Sequence, residues 1–94
     1  MTPATSAPPT ACPRLNGHFR LQFETAQDAW VLLYPEGMIR LNPSAGEILR
    51  RCDGSRDIPA IVAELEALFD TRGLDHDVRA FLDMAGTQRW ITLS

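Results

Sequence analysis

Two cysteines, two histidines and twelve carboxylates are the side chains of this 94-residue chain that lend themselves to nucleophilic, metal or acid–base chemistry. Their spacing argues against all three. His18 and His76 lie far apart, and neither has a Cys, Asp or Glu at metal-ligand spacing. Asp75-His76-Asp77 offers three donors in a row, but adjacent residues on a helix do not face one another. Cys52 falls on an apolar helical stripe with no basic group beside it, the setting of a buried thiol rather than a nucleophile. No pair of carboxylates stands in an acid–base arrangement, and no glycine-rich phosphate loop is present. Trp30, Tyr34 and Trp90 have the ring faces that stack on bases, but they fit better as core and rim aromatics. The expectation is a binding module: no catalytic residue, no metal, no cofactor.

Charge narrows the partner. All nine basic residues are Arg, scattered among twelve acids for a net charge of -3. Nucleic-acid binding draws on clustered cations that displace counterions, and the largest cluster here is Arg50-Arg51 with Arg56 nearby. No nucleic acid and no membrane are expected as partners. No stretch has the length and apolarity of a signal peptide or membrane span, so the expected location is cytoplasmic. Hydrophobic residues at 45% and charged residues at 22% suit one ordinary globular domain.

The elements that must position any site follow from periodicity. Residues 1–14 are dominated by Pro, Thr, Ala and Ser and read as a disordered tail holding Cys12, which leaves residues 15–94 as the domain. Phe19, Leu21 and Phe23 alternate with Arg20, Gln22 and Glu24, the pattern of a half-buried strand. Thr25 to Asp28 form a turn, and Ala29 to Tyr34, apolar on both faces, form a central strand. Pro35-Glu36-Gly37 is a hairpin loop in which Gly37 is expected to supply a positive φ, and Met38 to Leu41 make a third strand.

Helical grammar begins at Asn42-Pro43, a cap followed by proline at the first helical position; Ser44 and Glu47, at capping-box spacing, give an alternative start two residues later. Ala45, Ile48, Leu49 and Cys52 form one face, and Asp53-Gly54 is the expected stop. A second helix is capped by Asp57, carries Ile58, Ile61, Val62, Leu65, Leu68 and Phe69 at three-four spacing, and stops at Arg72-Gly73. A third begins near Asp75 with Val78, Phe81, Leu82 and Ala85 on its stripe, Gly86 weakening or ending it. Arg89 to Leu93 close the chain as a short extended piece or a further helical turn. The fold class is α+β: a three-stranded antiparallel sheet followed by three helices, like a winged helix-turn-helix with its sheet placed first.

In such a meander the third strand lies at an edge. Its shortness and Arg40 are devices that protect an edge, and the same open backbone is what an added peptide strand needs. Ile39 is the position expected to offer a free edge donor.

The stretch Tyr34 to Gly54, YPEGMIRLNPSAGEILRRCDG, favours the second use. Its YPEG turn, the LN before the first helix, the GEIL core and the closing CDG resemble the PqqD family, the pyrroloquinoline quinone (PQQ) biosynthesis D proteins. Asp57-Ile58-Pro59-Ala60-Ile61-Val62, Asp77-Val78 and Phe81-Leu82 fit the same pattern, so the resemblance runs from Leu15 to Leu93. Gln88-Arg89-Trp90-Ile91 departs from the family's glycine-containing ending.

The resemblance implies a peptide chaperone, a RiPP recognition element that binds the precursor peptide PqqA and presents it to the radical SAM enzyme PqqE, which cross-links a Glu and a Tyr of the peptide. It implies that the peptide adds to the strand holding Met38, Ile39, Arg40 and Leu41. It implies packing against the third helix at Val78, Phe81, Leu82 and Ala85, with Arg79 placed to meet an acidic residue. Two rivals remain in view, a winged-helix nucleic-acid-binding protein and a quinone-binding protein acting late in the pathway. The chain is expected to be a monomer or weak homodimer, with hinges near Leu41-Asn42 and Asp53-Gly54 that would let strands exchange in a crystal.

Overall fold

The computed structural model describes residues 11–93. In chain order the elements are β1 (Pro13–Leu15), β2 (Arg20–Glu24), β3 (Ala29–Tyr34), β4 (Gly37–Arg40), α1 (Pro43–Leu49), α2 (Ile58–Leu68), α3 (Asp75–Thr87) and β5 (Ile91–Leu93). The expected three-stranded sheet is present in the antiparallel order β2-β3-β4, followed by three helices. A second sheet, which the sequence pattern does not announce, joins β1 to β5.

That second sheet corrects the expected tail. Pro13 to Leu15 pair antiparallel with Leu93 to Ile91, and Ala11 and Pro13 are buried. β1 is held from its other side as well: the Leu15 N–H donates to the Cys52 carbonyl, and the Gly54 N–H donates to the Pro13 carbonyl. The remainder of the expected tail, residues 1–10, lies outside the described residues. Arg89 to Leu93 are settled by the same pairing: a left-handed Arg89 turns the chain, and β5 runs extended.

Local signals behave mostly as their chemistry demands. Asn42 Oδ1 accepts the Ala45 N–H at 2.7 Å and Asp57 Oδ1 accepts the Ala60 N–H at 2.9 Å, so Asn42, not Ser44, caps α1. Glycine is where expectation and structure part. Gly37 closes the Tyr34–Gly37 turn without a positive φ, because Pro35 and Glu36 complete the reversal on their own. Gly86 sits inside α3. α1 ends at Leu49, and Gly54, at φ +84°, instead turns the following segment back toward β1.

The helices cover one face of the larger sheet. Leu32 on β3, Leu49 on α1, and Ile61 and Leu65 on α2 are fully buried at the centre, joined by Val78, Leu82 and Ala85 from α3 and Ile91 from β5. Each large aliphatic side chain removed from water contributes about 1.5–3 kcal/mol. α1 approaches β3 closely because Gly46 faces Trp30: a Cβ at Gly46 would lie 2.4 Å from the indole Cδ1. Arg51 then locks α1 to α2, donating to Glu47 Oε1 at 2.8 Å and to Glu64 Oε1 at 3.0 Å, while Arg56 Nε donates to Glu64 Oε2 at 2.7 Å.

Candidate functional site

Backbone register decides what β4 presents. The Leu41 N–H donates to the Trp30 carbonyl at 2.9 Å, and Leu41 and Trp30 are directly opposed in the β3–β4 register. Antiparallel strands alternate bonded and non-bonded pairs. Ile39 opposite Leu32 and Gly37 opposite Tyr34 are therefore bonded inward, whereas the N–H and C=O groups of Met38 and Arg40 point out of the sheet. Among the described residues no strand pairs with that side of β4. The free donors belong to Met38 and Arg40, which corrects the expectation for Ile39.

Side chains alternate with the same period. Met38 is 48% exposed, and Arg40 is exposed with no ion-pair partner among the described residues. Ile39 is half-buried against the core, and Leu41, one residue beyond β4, is buried in it. The strand thus hangs on the core by alternate side chains and keeps the intervening backbone open.

Beside the end of this strand lies an apolar groove of about 280 Å³. Ala45 and Ile48 of α1, Leu65 of α2, Phe69 just after it, Leu74, and Val78 and Phe81 of α3 line it, with Asn42, Ser44 and Asp77 at its polar margin. Of the helix residues drawn from sequence, Val78 and Phe81 face this groove. Leu82 and Ala85 do not: they are buried in the core behind it. Arg79 spends its charge on Asp75, whose two carboxylate oxygens it meets at 3.0 Å each. Phe69, Leu74 and Asp77 were missed as groove residues. Phe69 carried a signal, since it continues the α2 stripe one residue past the helix end, where a ring has no core left to enter and remains 43% exposed.

Cys52 and three of the carboxylates occupy structural positions, whereas His18, between β1 and β2, and His76, on α3, are exposed. The Cys52 Sγ donates to the Ile48 carbonyl, and burial, with the Asp53 charge adding to it, pushes the thiol up to about 12. It is neutral and unreactive near pH 7. Partial burial pushes the Glu47 carboxyl up, but hydrogen bonds from Arg51 and Arg50 outweigh this and hold it below the ordinary range. Glu64 is lowered by its hydrogen bond from Arg56 and then Arg51, and Asp53 by its hydrogen bonds from Ser55. Among the described residues no three His, Cys, Asp or Glu side chains converge to hold a metal. The three rings considered for stacking are dispersed: Trp30 meets Phe23 edge-on at 5.3 Å, Tyr34 meets Phe19 at 5.7 Å and Trp90 meets Phe81 at 6.4 Å.

An open strand edge beside an apolar groove is the layout of a small recognition domain. Residues 29–91 match the model of the family described as Coenzyme PQQ synthesis protein D (PqqD), and the chain belongs to that family. It is 57% identical over 82 residues to a PqqA binding protein of Pseudomonas aeruginosa (strain UCBPP-PA14), covering 86% of this chain and 89% of that one. A PqqA binding protein of Stutzerimonas stutzeri is 47% identical over 85 residues, covering 89% and 92%. Among solved structures, the solution structure of the PqqD truncation of Methylobacterium extorquens PqqCD, described as a functional, stand-alone RiPP recognition element, superimposes with a TM-score of 0.75 at 26% identity over 94% of this chain and 96% of that one. The crystal structure of PqqD from Xanthomonas campestris gives 0.55 at 30% identity over 93% and 99%.

Proposed function

We propose that this protein binds the precursor peptide PqqA as an added strand on β4, seats an apolar side chain of the peptide in the α1–α3 groove, and presents the peptide to the radical SAM enzyme PqqE. The observation that carries this reading is the pair of outward-facing backbone groups at Met38 and Arg40 next to that groove. The names of the curated relatives, PqqA binding proteins, and the recognition-element role of the Methylobacterium neighbour support it.

The energetics fit a transient complex. Added-strand hydrogen bonds contribute about 0.5–1.5 kcal/mol each, and one buried apolar anchor about 1.5–3 kcal/mol. Ordering a disordered peptide offsets part of that gain, leaving a Kd on the order of micromolar. The protein acts by contact and carries no chemistry of its own. It works in the cytoplasm as a monomer or weak dimer; no helix among the described residues is long and apolar enough to cross a membrane.

An amide-shift titration with PqqA tests the reading. The largest shifts are expected at Met38, Arg40, Phe69, Val78 and Phe81. Shifts confined to β2 or to the β1–β5 sheet would overturn the site.

A further inference from the structure

The groove beside β4 has walls of two kinds. Ala45, Ile48, Leu65 and Val78 are buried, and the core fixes their places. Phe69 and Leu74 belong instead to the connection between α2 and α3. Phe69 is 43% exposed, and Leu74 rests against the core without entering it. The width of the groove at this end therefore depends on how the connection is held.

One residue holds it from both ends. α2 finishes in a Schellman motif: the Thr71 N–H donates to the Glu66 carbonyl at 3.0 Å and the Asp70 N–H to the Ala67 carbonyl at 3.4 Å, with Asp70 left-handed at φ 51°. The backbone of Glu66 thus closes the turn that carries Phe69. Its side chain reaches forward eight residues, and Oε2 accepts the Leu74 N–H at 3.1 Å. Leu74 stands at the N-cap of α3, where its own side chain has nothing to accept with. Left-handed Gly73 precedes it, with open space around it. Among the described residues no other side-chain hydrogen bond or ion pair joins α2 to the segment from 69 to 87. Glu64, one position on the same helix away from the groove floor at Leu65, serves the opposite side, where Arg51 and Arg56 engage it. Glu66 is half-buried, enters no ion pair among the described residues and does not itself line the groove.

We propose that Glu66 is a positioning residue for the peptide site. Its carboxylate sets the place of Leu74 and its carbonyl that of Phe69, and together they fix the width of the groove that takes the peptide's apolar side chain. The inference rests on the peptide-binding reading above. Glu66 acts on peptide affinity through Phe69 and Leu74 and touches no peptide itself.

The test is calorimetry of the full chain with PqqA, alongside urea midpoints and amide spectra. The samples are wild type, Glu66→Gln, Glu66→Asp, Glu66→Ala, Phe69→Ala and the double variant Glu66→Ala/Phe69→Ala. Glu66→Ala keeps a strong helix former and the backbone turn, and removes only the side-chain acceptor. It should weaken PqqA binding roughly five- to tenfold and move the Phe69 and Leu74 amides of the free protein. Glu66→Gln keeps an oxygen at the same reach and should bind within about twofold of wild type. Glu66→Asp keeps the charge but withdraws the oxygen by one methylene, and should bind as weakly as Glu66→Ala. In the Phe69→Ala background, Glu66→Ala should cost less than about twofold, because the wall it positions is gone. A carboxylate that only stabilises the fold would lower the urea midpoint and leave the affinity of the folded chain unchanged, or would add its full effect to that of Phe69→Ala. Either result, or a Gln variant as weak as the Ala variant, would overturn the positioning role. If Glu66→Ala does not fold, Glu66→Asp decides, and wild-type affinity there overturns it. Absence of any β4 amide shift when wild type meets PqqA would sink the peptide reading, and the role given to Glu66 with it, before a variant is made.

Discussion

β1 and β4 are both short, at three and four residues, yet they meet opposite fates. β1 is bonded on both sides, to β5 and to the Cys52–Gly54 segment, and has no edge left to offer. β4 is bonded on one side and exposes the backbone of Met38 and Arg40 on the other. Shortness, which protects an edge from unwanted pairing, is therefore not what separates a structural strand from a candidate receptor strand. What separates them is whether the chain returns to cover the second side. Here it returns for β1, and α1 leads it away from β4.

The sharpest way to break this contrast lies within β4 itself. Ile39→Pro removes a donor bonded toward Leu32 and should cost on the order of 2–3 kcal/mol of folding stability, read as a lower urea midpoint. Met38→Pro removes an outward donor, behind a glycine that has no Cβ to clash with the ring. It should leave the midpoint within about 1 kcal/mol and weaken PqqA binding roughly three- to tenfold by calorimetry. If the two prolines exchange effects, the register argument is wrong.

The groove gives the next largest effect. Phe69→Ala should lower peptide affinity by up to about tenfold while barely moving the melting temperature, because the ring is already 43% exposed. On the closed side, Asn16→Ala deletes the hydrogen bond from the Asn16 amide to the Arg89 carbonyl at 3.0 Å. It should cost about 1 kcal/mol of stability and no peptide affinity, the mirror image of Met38→Pro.

The smallest effects are electrostatic. Arg40→Glu should weaken binding a few-fold and flatten its salt dependence if an acid of the peptide lies there; an unchanged slope would make Arg40 only a guard of the edge. The α1–α2 lock should show in acid. Glu47 and Glu64 titrate below the ordinary 4.5 in the folded chain, so their contribution is complete above that value and disappears as pH falls through the lower folded values. Urea midpoints taken from pH 7 downward should start to fall below about 4.5, and Arg51→Ala should flatten the decline.

What could be read from the sequence divides along the same line. The β2-β3-β4 meander and the caps at Asn42 and Asp57 depend on neighbours a few positions apart, and there the residue types speak directly. β1 could not be read this way. Pro13, Arg14 and Leu15 show no alternation and adjoin a Pro-rich stretch, and their partners are at Ile91 to Leu93, at the other end of the chain. Gly54 misled for a related reason: its positive φ serves a contact with β1, not the end of α1. In the candidate site, Val78 and Phe81 could be picked from the α3 stripe. Which stripe residues line the groove and which fill the core depends on how three helices pack, so Leu82 and Ala85 were indistinguishable from them.

The pairing of Pro13 with Leu93 has one more consequence. Residues 13 and 93 are opposed in an antiparallel ladder, about 5 Å apart, on a sheet that shares no strand with the β4 edge. Another polypeptide joined beyond either residue would emerge at one place, clear of that edge. A short flexible tether leaving from there would raise the local concentration of a joined enzyme into the millimolar range, turning delivery of a weakly held peptide from a chance encounter into an intramolecular step.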